Sequence, residues 1–208
     1  GISGAWLLGV VATQSLAVLG ALLAAQPGQP WRLELNFLTL VLWLGGGMQY
    51  IWMVSLIFYR DLFFHFSPDD LTPPYWVSMG AMAISTLAGA EIIDNAAGAP
   101  MLQPLVPFLK GFMVFYWATG TWWIPMLVVL DLWAYVYKRL PLRYDPLDWG
   151  AVFPLGMYAA STDRMIEAMG FGFLDFLPVA FFWTALAAWS LTFLGFVHDL
   201  LRRVRGLI

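Results

Sequence analysis

Apolar residues run along this chain in long uninterrupted stretches, and charged or turn-forming residues are confined to the intervals between them. A helix needs about 20 apolar residues to cross the hydrocarbon core of a bilayer. The runs predict six such helices, at about residues 5–25, 36–59, 74–94, 105–137, 149–170 and 176–200. The first ends at Gln26-Pro27-Gly28-Gln29-Pro30, the second carries Gly45-Gly46-Gly47 in its middle, and the third starts after Pro73-Pro74. The fourth is too long for one perpendicular helix. Pro125 predicts a kink in a single tilted helix there; two short helices joined near Gly120 are the other arrangement. The fifth begins near Asp148-Trp149 and is uncharged only through Thr162.

Composition turns these runs into a class. Hydrophobic residues make up 61% of the 208 positions and charged residues only 11%, against about 25% in an ordinary soluble domain. A globule of this size has too little interior to hide so much apolar surface, and disorder requires low hydrophobicity. The expectation is an all-α, polytopic protein of the cell (inner or plasma) membrane, in contact with lipid. Twelve Trp and eight Tyr fit that class, because both favour the bilayer interfaces. Cysteine is absent, which removes disulfides, thiolate metal sites and a cysteine nucleophile. A net charge of −3 argues against a nucleic-acid partner. No signal peptide is visible. The chain starts without Met on an apolar helix, which predicts that an N-terminal portion precedes it.

The few charges orient the bundle. Of ten basic residues, seven follow the even spans: Arg60 after the second, Lys138, Arg139 and Arg143 after the fourth, and Arg202, Arg203 and Arg205 after the sixth. By the positive-inside rule those ends, and the C-terminus, are cytoplasmic.

An internal repeat lies on the odd spans. Gly9-Val-Val-Ala12-Thr-Gln-Ser15, Gly80-Ala-Met-Ala83-Ile-Ser-Thr86 and Gly156-Met-Tyr-Ala159-Ala-Ser-Thr162 align without gaps. Each reads Gly-x-x-Ala-x-x-(Ser/Thr), with positions that share a helical face. Glu91 and Glu167 also fall at equivalent positions of the second and third copies. Such a stripe either lets helices approach closely or leaves room for a lumen. The even spans are rich in Leu, Phe, Val and Trp, as suits a lipid-facing ring. Three hairpins around an axis, odd helices inside, are the expectation. Pro154 lies two residues before Gly156 and bends an inner helix, which is tolerated where protein or a water-filled cavity satisfies the freed carbonyls. Phe153, carried at that bend, is a candidate plug or an ordinary packing ring.

The stretches Trp149-Gly-Ala-Val-Phe-Pro-Leu-Gly-Met-Tyr-Ala-Ala-Ser-Thr162 and Pro73-Pro-Tyr-Trp-Val-Ser-Met-Gly-Ala-Met-Ala-Ile-Ser-Thr-Leu-Ala-Gly89 resemble the tellurite-resistance/C4-dicarboxylate transporter family. That family includes the plant slow anion channels and fungal malic acid permeases. The resemblance covers essentially the whole chain. It implies the last three hairpins of a ten-helix, five-hairpin pore, with the first two hairpins missing, and a homotrimer as in bacterial members. It also implies that Phe153, just before Pro154, occludes the pore, and that the cargo is a small inorganic or dicarboxylate anion.

An anion path wants positive potential without a deep trap. Arg164 is the one cation on an inner span; it either draws anions at the outer mouth or pairs with Glu167 or Asp163. Glu91 and Glu167 would oppose anions in a lumen, which places them at helix or subunit contacts or in the headgroup region. Lys110 and Asp131 near the ends of the fourth span can snorkel. His65 and His198 lie near helix ends without metal or triad spacing, and Asp69-Asp70 reads as a solvated loop. No catalytic residue, metal site or cofactor is expected, and no enzyme. The leading expectation is an anion channel lined by odd helices and gated by Phe153. The alternatives are a carrier of C4-dicarboxylates such as malate, with or without proton coupling, and a non-transporting membrane scaffold.

Overall fold

The computed structural model describes residues 3–65, 71–140 and 144–205; Asp69, Asp70 and Arg143 lie outside them. Six long helices follow one another: α1 (Leu8–Ala24), α2 (Arg32–Phe63), α3 (Val77–Asn95), α4 (Val106–Asp131), α5 (Trp149–Met169) and α6 (Phe176–Arg205). Among the described residues there is no strand. Short 3-10 turns, Gly4–Leu7 and Pro73–Trp76, lead into α1 and α3. A third, Pro146–Asp148, leads into α5. The fourth span is one helix that continues without a break through Pro125, rather than two joined near Gly120, and ends in a π-helical turn, Leu132–Tyr137.

Five of the six helices, with their 3-10 and π extensions, are long and apolar enough to cross a membrane. The exception is α5. Its 21 residues reach about 32 Å at 1.5 Å per residue, which matches a hydrocarbon core of about 30 Å. Asp163, Arg164 and Glu167 lower its hydropathy at one end. These groups cluster toward one end of the span, where Arg164 pairs with Glu167 and charged side chains can reach the interface.

The helices pair as hairpins, α1 with α2, α3 with α4 and α5 with α6. The hairpins join through their first members: α1 packs on α3, and α3 packs on α5. α2 also leans on α3, and α4 more lightly on α5. The odd helices thus form an inner row and the even helices an outer one. The row is an open arc, because α3 stands between α1 and α5, which are not packed together.

α3 is the axis of the fold, buried along nearly its whole length. Its small residues act as sockets for large rings on the outer helices. Trp43 of α2 is fully buried; its ring lies where a Cβ on Gly89 would come within 2.9 Å, and its Nε1 donates to Ser85 O at 2.7 Å. Phe112 and Tyr116 of α4 meet Trp43 edge-on. Further polar contacts tie the helices where hydrophobic driving force is weak, since lipid tails are as apolar as side chains. Tyr50 Oη donates to Ser78 O and accepts from Trp123 Nε1. Asn95 donates to Ala21 O and to Asn36 Oδ1. Trp76 Nε1 donates to Asp131 Oδ2 at 3.0 Å. The bulky even spans are therefore only half a lipid-facing ring; one side of α2 and of α4 supplies the core's largest side chains.

The connections follow ordinary rules. Asp145 accepts from the Leu147 N–H at 2.7 Å, and Asp148 accepts from the Asp145 N–H at 3.0 Å, a reciprocal cap that starts the approach to α5. Gly170 ends α5 in the left-handed region, φ 72°, with its N–H bonded to Ile166 O.

Candidate functional site

Pro74 is the point at which the three inner helices meet. The backbone of Gly4, ahead of α1, lies so close to Pro74 that a Cβ there would sit 2.5 Å from Pro74 O. On the other side a Cβ on Gly150 would reach within 3.3 Å of Pro74 Cγ. One turn further along, a Cβ on Gly80 would lie 2.8 Å from Pro154 Cγ. The prolines of α3 and α5 are thus seated against glycine backbone, and that seating fixes the first turns of α1, α3 and α5 relative to one another.

A cavity of about 360 Å³ opens at this junction. It is lined by Leu8 and Val11 of α1, Pro74 and Val77 at the start of α3, Trp149, Gly150 and Phe153 of α5, and Pro146-Leu147 of the loop before α5. Every lining helix is an odd one. Phe153 is 38% exposed and faces this space. Pro154 beside it is buried and, lacking an N–H, cannot donate to the carbonyl of Gly150. The cavity lies where odd helices start and even helices end. Arg60, Lys138, Arg139 and the Arg202–Arg205 group lie at that same end. Beside the cavity, burial pushes the Asp148 carboxyl above its ordinary value, opposed by the hydrogen bond from the Asp145 backbone.

At the opposite end of the arc Arg164 is held by three carboxylates. Its Nε donates to Glu91 Oε1 at 3.1 Å, and its terminal nitrogens bond Asp94 and Glu167. The pairing with Glu167 along α5 is legible from the sequence. The pairing with Glu91 and Asp94, which bolts α5 to α3, is not. Three acids around one guanidinium leave this end of α3 and α5 negative, so Arg164 offers no free positive charge to an anion. Arg164→Met should leave Glu91, whose side chain is 16% exposed, without its counter-charge. Losing one partner of a buried pair costs about 3–5 kcal/mol; with the guanidinium itself 34% exposed, about 1–2 kcal/mol is expected. Thermal unfolding in detergent checks this, and adding Glu91→Gln to Arg164→Met should recover part of the loss.

The three repeat copies do not present one face to one space. Gly9, Ala12 and Ser15 of α1 are exposed, while Gly80, Ala83 and Thr86 of α3 are all buried. On α5, Gly156 is exposed, but Ala159 and Thr162 are buried. Thr162 accepts a hydrogen bond from Trp117 Nε1 of α4 at 3.0 Å, so its hydroxyl is committed to helix packing. Lys110 is half-buried near the start of α4, and His65 and His198 are exposed. The sequence pointed to Phe153 and Pro154 but missed Leu8, Val11, Pro74 and Val77 as their companions; the proline pair before α3 was the one available signal.

Comparison with known proteins gives three findings. The family model described as voltage-dependent anion channel matches residues 1–197. An uncharacterized membrane protein of Mycobacterium tuberculosis is 42% identical over 151 residues, which are 73% of this chain and 76% of that protein. Two uncharacterized transporters of Methanocaldococcus jannaschii are each 24% identical, one over 197 residues (95% of this chain, 56% of that protein), the other over 191 (92% and 53%). No solved structure matches.

Proposed function

This chain belongs to the voltage-dependent anion channel family, and from that premise we propose that it carries anions across the cell membrane along a path bordered by α1, α3 and α5, with Phe153 as the gate. One observation carries the reading: the apolar cavity at Phe153 is bounded by all three inner helices and by no outer one. An apolar constriction gates by excluding water, and a ring placed at it raises that barrier. The exposed small residues Gly9, Ala12, Ser15 and Gly156 would flank the path beyond the constriction, where weak binding lets ions leave. Gly80, Ala83, Thr86, Ala159 and Thr162 serve the path indirectly, by letting the inner and outer helices approach. The basic ends of the even helices support an orientation with the Phe153 end, and the C-terminus, at the cytoplasmic face. At the opposite, outer end Arg164 acts as a bolt between α3 and α5. The resemblance implies a homotrimer.

Reconstitution of the full chain in liposomes tests this. The expected result is a chloride or nitrate current whose reversal potential follows the anion gradient. Two M. jannaschii relatives bear the name transporter, which favours a carrier as the second reading. Saturable, proton-dependent uptake of malate without such a current would establish the carrier instead, and no anion movement at any voltage or pH would sink both.

A further inference from the structure

We propose that the basic end of α6 and the loop before α5 form a binding site for an anionic phospholipid, with Arg203 on its phosphate. The site lies apart from the path proposed above and does not depend on it. A groove of about 250 Å³ opens there, lined by Tyr144 and Pro146 of the loop and by Phe196, Asp199, Leu200 and Arg203 of α6. The four α6 residues fall at i, i+3, i+4 and i+7, so they form one stripe on one helical face. That stripe changes character along its length. Phe196 and Leu200 are apolar and exposed, and Arg203 lies about 10 Å beyond Phe196 at 1.5 Å per residue. With 30 residues, α6 is about 45 Å long, whereas the hydrocarbon core is about 30 Å thick. Its last turns therefore enter the headgroup layer, carrying Arg203 with them and leaving Phe196 near the boundary. The opposite wall is held in place. The Tyr144 ring lies against the backbone of Gly195, where a Cβ would come within 3.2 Å of it. It meets Phe196 edge-on, and its hydroxyl accepts from Trp149 Nε1 at 3.4 Å.

Charge names the occupant. Arg203 Nε donates to Asp199 Oδ2 at 2.7 Å, and among the described residues its two terminal nitrogens bond nothing. Asp199 thus fixes the guanidinium and leaves its terminal edge as a fork matched to two phosphate oxygens. Arg202 and Arg205 stand beside it, so three arginines face one carboxylate. Asp145, next to Tyr144, does not line the groove, and its carboxylate caps the turn before α5. A free anion would gain the arginine but nothing from Phe196 and Leu200. A zwitterionic lipid would gain the apolar wall but bring its own cation to Arg203. An anionic phospholipid gains both. The groove is smaller than the roughly 300–1,000 Å³ of pockets that enclose a whole drug-sized ligand. It takes the glycerol phosphate and the first chain carbons, and the rest of the lipid stays in the bilayer. The orientation proposed above puts this end in the cytoplasmic leaflet, where anionic lipids attract basic segments.

Native mass spectrometry of the protein released from nanodiscs of mixed phosphatidylcholine and phosphatidylglycerol reads which lipid is retained. Phosphatidylglycerol should be retained over phosphatidylcholine by at least about fivefold, the effect of one arginine at a charged surface. Arg203→Gln should bring the two lipids near parity. Arg205→Gln, which alters a residue outside the groove lining, should keep most of the preference. Tyr144→Ala removes no charge but takes away the wall opposite α6, and should lower phosphatidylglycerol retention. Inorganic phosphate in excess should not displace the lipid. Equal retention of the two lipids by the parent protein, equal losses from Arg203→Gln and Arg205→Gln, or unchanged retention by Tyr144→Ala would overturn the proposal. Displacement by inorganic phosphate would overturn it too, by making this a site for a free anion.

Discussion

Phe153→Ala should raise anion conductance of the reconstituted protein by at least about tenfold, the change produced by lowering a barrier by about 1.4 kcal/mol. The ring is the largest lining group of α5 that makes no hydrogen bond, since Trp149 Nε1 at the helix start donates to Tyr144 Oη. Truncating it to a methyl group removes most of its volume from the constriction while leaving the backbone of α5, and the seat of Pro154 against Gly80, unchanged. A fully buried Phe loses about 3–5 kcal/mol on truncation to Ala. At 38% exposure Phe153 should cost well under that, so expression and assembly should hold. The ratio of conductance to protein inserted is the measurement that matters. Phe153→Leu should give an intermediate value, because a barrier to wetting scales with apolar obstruction rather than with aromaticity. A folded Phe153→Ala protein with unaltered conductance would remove the gate from this residue and leave it as packing.

Trp43→Ala should be the most damaging single change to the fold, costing about 3–5 kcal/mol. Trp43 has no exposed surface and fills the space above Gly89 at the centre of the bundle. It touches Phe112 and Tyr116 edge-on, and its Nε1 bonds Ser85 O across to α3. The carbonyl of the same residue accepts from Gln14 Nε2 of α1 at 3.0 Å, so a single position links α1, α2, α3 and α4. Trp43→Phe keeps much of the ring but leaves the Ser85 carbonyl without this donor, and should cost about 1–3 kcal/mol. Denaturation by SDS titration from mixed micelles orders the three proteins. If Trp43→Ala unfolds at the same SDS fraction as the parent, the central role of this ring is wrong.

The difference between these two residues illustrates which parts of the molecule a sequence discloses. Long uncharged runs are one-dimensional, so the helices and their inner or outer membership could be read directly. Phe153 stood out because proline follows it, and proline has a local meaning. Trp43 is one of twelve Trp, and nothing beside it in the chain distinguishes it. Its importance comes from Gly89 and Ser85, some forty residues away. Arg164 shows the same limit. Its partner three residues on follows from helix periodicity, but Glu91 and Asp94 become neighbours only once α5 lies against α3. The Gly-x-x-Ala-x-x-(Ser/Thr) repeat was legible as a pattern, yet each copy has different surroundings: it is exposed on α1, buried among α1, α2, α4 and α5 on α3, and bonded by Trp117 at Thr162 of α5. A repeat specifies that helices are alike; only their rank in the arc decides what each copy touches.

The burial of α3 has a consequence for how the chain is made. Two of the helices that cover it, α4 and α5, are synthesised after it. At about 5–20 residues per second, the stretch from Val106 to Met169 takes roughly 3–13 s to emerge. For that interval α3 waits in lipid with its serines and threonines uncovered. It can do so because Ser85 Oγ donates to Ala81 O and Thr86 Oγ1 to Met82 O, bonds made within the helix's own turns. The hydroxyls of Ser85 and Thr86 are satisfied before any partner arrives, and the sockets left by Gly80 and Gly89 are then filled in the order in which the ribosome delivers their occupants, Trp43 already waiting and Pro154 last.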